Sequence, residues 1–464
     1  MGGFNVSFGM AAGAMDAIQQ ALDAVQNNIV NSSTPGYAAE QVNFSAQAFD
    51  VQQGLAGGVE VSLSSTRDLY LEQSVRTETS ALGLLQQQDP LLSSLQSAFS
   101  ASGDSGVPGA LTGFASAFST LSTSPNSASA QANVLQAAAT LAQAFNQTAT
   151  QISNVSSEAV QQADSTVSQI NSLTAQIAAL NTQIQGGAQN DSGVQANLSN
   201  SLQTLSGLVN ISVNYAPDGS ASVLLDGQTA LVTGQTANTL SISQPNSTGD
   251  LQLLDQAGQD VTAQATQGQL GGLLQVQNQT IPQSLGQVNQ LAQSLADRVN
   301  TILTSGQVSA GPPPVPGTAL FTYTSAATAA ATLSVNPSIT ASQIATIDPG
   351  PPVSSNGVAL ELASINDPTN SADMIGGQSY TSFYGQIAAE AGNASSENSA
   401  NLTAQQDLTT QAQNQLSQAS GVSLNDQAAQ LMALQTAYQA TAKVITVLQT
   451  ITQTAVDLIP ETPV

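Results

Sequence analysis

The sequence predicts a mainly α-helical protein with a small β unit inserted between its helices. Three observations carry that expectation. Apolar residues recur every three or four positions over most of the chain, one central stretch switches to period-2 alternation broken by Asp-Gly turns, and the first and last segments share a coiled-coil spacing. At 464 residues the chain is long enough for two to four compact units of roughly 100–200 residues.

Taken in order, Phe8, Ala11, Met15, Ile18, Leu22, Val25 and Ile29 form a seam with spacings of three and four, and Asp16 and Asp23 fall off it. Near the other end Leu431, Leu434, Tyr438, Ile445 and Leu448 share one phase, with Thr441 at the remaining seam position. A second stripe, Val444, Val447, Ile451, Ala455 and Leu458, runs beside it, so this helix should have more than one neighbour. The two ends are expected to pair as an antiparallel coiled coil. Periodicity alone fits a helix pair closing one domain as well as an assembly interface.

Between the ends, Val134, Ala138, Leu141, Phe145, Ile152 and Val155 make one helical stripe. Ile170, Leu173, Ile177, Leu180 and Ile184 make a second, stopped at Gly186-Gly187. Ile281, Leu285, Val288, Ala292, Leu295, Val299 and Ile302 make a third, with Pro282 in its first turn where a missing N–H is harmless. Further helices are expected over 69–99, 111–121 and 380–419, the first interrupted at Asp89-Pro90 because proline disfavours helix at the preceding residue. These segments predict a helical-bundle middle domain. Over 207–268, Ile211, Val213 and Tyr215 alternate, Pro217-Asp218-Gly219 turns the chain, Asp226-Gly227 turns it again, and Leu240 and Ile242 resume the alternation: a small antiparallel β subdomain. Residues 307–370, with Gly311-Pro312-Pro313-Pro314 and Pro349-Gly350-Pro351-Pro352, read as loop with short strands at most.

Composition narrows the function. Four basic residues against 29 acidic ones give a net charge of −25, a surface that repels nucleic acid and anionic lipid. Only 7% of residues are charged, where ordinary domains carry roughly 25%. Ser, Thr, Gln and Asn must supply the solubility, and a neutral polar surface lets copies pack densely without repulsion. There is no Cys and no His, which removes disulfides and thiolate or imidazole metal sites. The start lacks the basic region of a secretory leader, and no run of roughly 18 apolar residues is present to insert in a membrane.

Catalysis would fall to carboxylates or tyrosine. Glu361, Asp367 and Asp373 are the nearest to a cluster, and chance among 29 acids accounts for them. Asn190-Asp191-Ser192-Gly193 and Asp226-Gly227 lack the ligand series of a calcium loop and read as turns. Arg67, Arg76, Arg298 and Lys443 are too dispersed for a basic patch. No enzyme activity, cofactor or metal is expected.

One constellation says more. After the first helix come Asn27-Asn28-Ile29-Val30-Asn31-Ser32-Ser33-Thr34-Pro35-Gly36-Tyr37. Ser, Thr and Pro favour an ordered turn, and Gly36 can adopt angles closed to other residues. This segment resembles the N-terminal signature of the flagellar rod, hook and hook-associated proteins, in which Asn28, Asn31, Thr34, Pro35, Gly36 and Tyr37 hold the signature turn. Gly421-Val422-Ser423-Leu424-Asn425 and the segment 434–445 resemble the closing signature of the same family. Within it, Gly58-Val59-Glu60-Val61-Ser62, Arg67-Asp68-Leu69-Tyr70-Leu71, the 170–184 helix and the 209–236 segment are similar to the hook-associated members that join hook to filament. Other axial proteins of the family, or an extracellular adhesin, are the rival readings.

The resemblance implies an exported, extracellular structural subunit with no cleaved signal peptide. Its implied partners are copies of itself in a ring, the hook protein, a second hook-associated junction protein and an export chaperone. Phe8, Met15, Ile18, Leu22, Val25 and Ile29 would meet Leu431, Leu434, Tyr438, Ile445, Leu448 and Ile451 at the assembly interface. The implied domains are 1–60 with 420–464 for assembly; 61–206, 269–306 and 371–419 for the helical body; 207–268 for the β subdomain; and 307–370 as a reduced outer domain. The family usually follows Gly-Tyr with Ser or Thr and then Arg. Here Ala38-Ala39-Glu40 stands instead, so any ion pair made by that Arg is lost or inverted.

Overall fold

A computed structural model of the chain describes residues 2–50, 55–99, 106–244 and 250–457. Its helices are α1 (Gly2–Val30), α2 (Leu69–Phe99), α3 (Gly106–Thr123), α4 (Ala128–Gln183), α5 (Ser192–Leu208), α6 (Gly268–Gln275), α7 (Ile281–Ser305), α8 (Ala329–Thr332), α9 (Gly357–Ala363), α10 (Tyr380–Ser420) and α11 (Leu424–Asp457). The strands are β1 (Glu40–Asp50), β2 (Leu55–Ser65), β3 (Ile211–Tyr215), β4 (Ala221–Leu225), β5 (Thr229–Thr233), β6 (Thr236–Ala237), β7 (Ser241–Ser243) and β8 (Gln252–Leu254), followed by two- and three-residue pairs within 307–379. The architecture is mainly α with an inserted β unit.

The two apolar stripes over 134–155 and 170–184 belong to one helix. α4 runs 56 residues, ~84 Å at the standard rise, and is the spine of the body. Ser127 caps it, its Oγ accepting from the Ala130 amide at 3.3 Å. It ends through a π turn over Ile184–Ala188, where Gly187 takes φ 112°, at the expected glycines. The α4 face packs against α2, α3, α5 and α7, and Phe114, Phe118, Phe145, Leu141 and Ile152 are completely buried there. α2 and α5 touch backbone to backbone: a methyl group placed on Gly83 would lie 2.2 Å from the Gly207 carbonyl oxygen.

α2 does not break at Asp89-Pro90; it continues through Pro90 to Phe99. An interior proline costs about 3 kcal/mol, but Leu91 and Leu95, on the turn that follows, are 0% and 1% exposed in the core. Burying two leucines offsets that loss. Asn398 of α10 braces the same stretch, donating to the Leu85 carbonyl at 3.1 Å and to Asp89 Oδ1 at 3.3 Å.

The β unit is an antiparallel four-stranded sheet in the order β3-β4-β5-β6. Gly219 turns at φ 86°, and the Asp226-Gly227 pair has φ 48° and 70°, the left-handed values that a tight turn of this kind needs. Sequence periodicity left out a second β element: β1 and β2 form a long hairpin in register Val42↔Leu63, Phe44↔Val61 and Ala46↔Val59, packed beside α1.

Asparagine side chains fasten the irregular segments to the helices. Asn181 of α4 donates to the Ala221 and Gly234 carbonyls at 2.8 and 2.7 Å and accepts from the Ala221 amide at 2.9 Å. Asn171 grips both backbone groups of Leu240, and Asn278 both of Leu251. Asn289 and Asn300 of α7 hold Ala327 and Ala330, and Leu320 and Phe321. A primary amide offers the donor and acceptor of a missing strand and carries no charge. The Pro-rich 307–370 stretch is therefore tied down, and its Leu320, Phe321, Leu333, Ile344, Leu362 and Ile365 are buried.

Of the acidic trio considered as catalytic, Asp373 and Glu361 bind one guanidinium: Arg298 Nε lies 2.5 Å from Asp373 and Arg298 Nη2 2.6 Å from Glu361. Burial, with Asp373 nearby, pushes the Tyr380 hydroxyl up to about 12.

Candidate assembly interface

The two chain ends meet at Asn28. Its side chain is completely buried, in the last turn of α1. Nδ2 donates to the Glu40 carbonyl at 2.8 Å and to Gln427 Oε1 of α11 at 3.0 Å. Oδ1 accepts from the Tyr37 hydroxyl and the Glu40 amide, both at 2.9 Å. Two donors and two acceptor sites are all that an amide has, so every one is used. One side chain thereby joins α1, the turn that follows it, β1 and α11.

The turn is locally determined. Asn31 and Ser32 bond back to α1 through the Asn27 and Ile29 carbonyls. The Thr34 amide donates to the Asn31 carbonyl at 2.9 Å, and the Tyr37 amide to the Thr34 carbonyl at 3.2 Å. Pro35 and Gly36 occupy the centre of that last turn, and Gly36 has φ 76°, the geometry of a type II turn. A methyl group on Gly36 would lie 2.4 Å from the Ala196 carbonyl oxygen and 3.0 Å from the Asn200 amide. The turn lies flat on α5.

A small charged cluster sits beneath it. Arg67 Nη2 donates to the Gly36 carbonyl at 2.8 Å, and its Nη1 is ion-paired with Glu72. The second oxygen of Glu72 faces Arg76 at 3.4 Å, and Ser199 of α5 donates to Glu72 at 3.0 Å. Glu72 and Arg76 are 5% and 4% exposed. Ala39, the position where the family usually has Arg, is 7% exposed; its amide donates to the Ser420 carbonyl and its carbonyl accepts from the Thr66 amide, both at 2.9 Å. The cation under this turn comes from Arg67. Ser420 completes the clasp: its Oγ donates to the Thr66 carbonyl at 2.9 Å and accepts from the Asp68 amide at 3.2 Å. Glu40 projects at the edge, its carboxyl raised by burial and by Asp191, with the Ser192 hydroxyl acting in the opposite direction.

From this base α1 and α11 run side by side in opposite chain directions. Leu22 and Val25 of the seam are buried; Met15, Ile18 and Ile29 are half-buried, and Phe8 is exposed. On α11, Leu431, Leu434, Tyr438, Ile445 and Leu448 are half-buried and Ile451 is exposed. Among the described residues of α11 only Gln427 is buried. At 100° per residue, Met432 and Val447 point away from α1 while Val444 and Ile451 lie on the flank of the seam, and all four are 44–64% exposed. Of the second stripe, Leu458 lies outside the described residues. Sequence reasoning missed Gln427, Ser420 and Arg67 as members of this joint. Arg67 alone had a signal, being one of four bases.

A chain whose two ends fold together into a helical stalk beside a helical body has the architecture of a flagellar axial subunit. Comparison with known proteins agrees. The model of the flagellar hook-associated protein FlgK helical domain matches residues 92–321, about half of the chain, and that of the flagellar basal body rod FlgEFG protein C-terminal region matches residues 413–458. The solved structure of the flagellar hook junction protein FlgK from Burkholderia pseudomallei superposes with a TM-score of 0.65 at 18% identity, covering 74% of this chain and 99% of that one. No curated protein matches in sequence. The chain belongs to the flagellar hook-associated proteins of the FlgK family. Its role is structural and not enzymatic, in the junction of hook and filament outside the cell, where it associates with its own kind and with other hook-associated partners.

Proposed function

We propose that this chain builds the junction by packing its paired ends, α1 and α11, against those of neighbouring copies in a ring, with the helical body outside. The observation that carries this reading is the uncovered apolar surface of the stalk. Met432 is 64% exposed, Val444 51%, Val447 56% and Phe8 42%. Helices with this much bare apolar area gain stability by burying it against a partner, at roughly 25 cal/mol per Å².

The hook protein and a second hook-associated protein are the neighbours that such a junction requires below and above. Export through the flagellar channel in company with a chaperone fits ends that find their full packing only on assembly. The test is removal of residues 424–464. The expected product is a soluble, folded body that no longer enters flagella, with hooks left bare of filament. Motile cells assembling junctions from the shortened chain would defeat the proposal.

A further inference from the structure

Three of the four basic residues are spent inside the molecule: Arg67 and Arg76 on Glu72, Arg298 on Glu361 and Asp373. Lys443 is the one cation among the described residues with no carboxylate beside it, and it is exposed. Helical phase places it on the side of α11 turned away from α1, between Met432 and Val447 and within the bare apolar stripe. Covering that stripe would strip water from Lys443, and a desolvated ammonium needs a carboxylate. Among the described residues its own chain offers none there, because α1 lies on the far side of α11.

α1 presents the complement. Its outward arc, facing neither α11 nor the hairpin, carries Asp16 and Asp23, one heptad apart and both exposed. Among the described residues, the Asp16 and Asp23 carboxylates accept from Gln20 and Gln19 of the same helix, contacts that a lysine can replace. The contact between Asn28 and Gln427 fixes the relative level of the two helices. Measured from it, Lys443 stands about four residues, ~6 Å, farther along the stalk than Asp16, and ~16 Å farther than Asp23. Asp16 thus meets it with the smaller shift between copies.

We infer that Lys443 of one copy pairs with Asp16 of the next, an ion pair that sets the register of adjacent stalks. This rests on the ring assembly proposed above and adds the residues that align it. With only 7% of residues charged and Arg67, Arg76 and Arg298 already paired within the molecule, Lys443 is the basic side chain left to make such a contact between copies.

The sequence contains no cysteine, so engineered thiols are unambiguous. The full-length chain carrying Asp16→Cys and Lys443→Cys, assembled in flagella and treated with a short bis-maleimide, should give a ladder of covalent oligomers, and each single variant should give none. Lys443→Glu should weaken retention of the filament by about fivefold, with less effect in high salt; adding Asp16→Lys should restore it. Wild-type chain present in flagella, with no ladder from the double variant or no rescue by the charge exchange, overturns the pairing. Flagella built without the wild-type chain overturn the assembly reading itself, and the pairing with it.

Discussion

The helical body and the terminal stalk use the same apolar residues to opposite effect. In the body Phe114, Phe118 and Phe145 are entirely buried, and irregular segments are fastened by uncharged asparagines. In the stalk the seam of α11 is half-buried, its outer stripe bare, and a buried, fully satisfied polar hub sits at the base in Asn28. The body closes its own core, whereas the stalk leaves an apolar face bare and is fastened to the body through Asn28, Ser420 and Arg67. On the assembly proposed above, stability in the first is a property of the chain, and in the second of the polymer.

The largest expected effect tests the closed side of that contrast. Phe118 packs edge-on against Phe114 at 5.0 Å in the core. Phe118→Ala should cost ~3–5 kcal/mol by cavity formation, read as a lower Tm of the monomer. The same truncation at half-exposed Leu434 should cost less than ~1 kcal/mol in the monomer yet impair assembly. Equal losses in the monomer would erase the distinction between the regions.

Next in size is the joint. Gly36→Ala combines an unfavourable positive φ with overlap against the Ala196 carbonyl. A penalty of ~2–4 kcal/mol is expected, because the turn must lift off α5 to admit the methyl group. Hydrogen exchange should accelerate at the turn and along α1 and α11 while α4 keeps its protection. Uniform acceleration throughout the chain would show that stalk and body unfold together.

The sequence revealed each part to the extent that local pattern determines it. Spacings of three and four located the helices of both regions, and Asp226-Gly227 placed a β turn, because these signals lie within a few residues of what they specify. Pro90 misled for the converse reason: a local preference yielded to Leu91 and Leu95, whose burial depends on helices far away in the chain. The β1–β2 hairpin escaped notice although Val42, Phe44 and Ala46 alternate opposite Val59, Val61 and Leu63, since Ser, Gln and Gly dilute the pattern. The signature turn was legible as a motif, but the four-way bonding of Asn28 was not. Its partner Gln427 is 399 positions distant, and nothing local distinguishes a buried asparagine from an ordinary one at a helix end.

The smallest effect sharpens the contrast through pH. Burial and the nearby Asp191 raise the carboxyl of Glu40 above its ordinary value. A carboxyl raised in the folded state binds its proton more tightly there than in the unfolded chain, so its ionisation destabilises the joint above the folded value, and this penalty fades as pH falls through it. Glu40→Gln removes the penalty, so it should tighten the turn at neutral pH and make no difference once the wild-type carboxyl is protonated. Because the side chain is substantially exposed, the gain should stay below ~1 kcal/mol. Slowed exchange of the Glu40 amide, which is bonded to Asn28, would register it. The asparagine clamps of the body have nothing to titrate over the same range, so mild acid should firm this edge of the joint and leave their protection unchanged. A wild-type turn that loosens on mild acidification would mean that Ser192, which favours the ionised form, outweighs burial at Glu40.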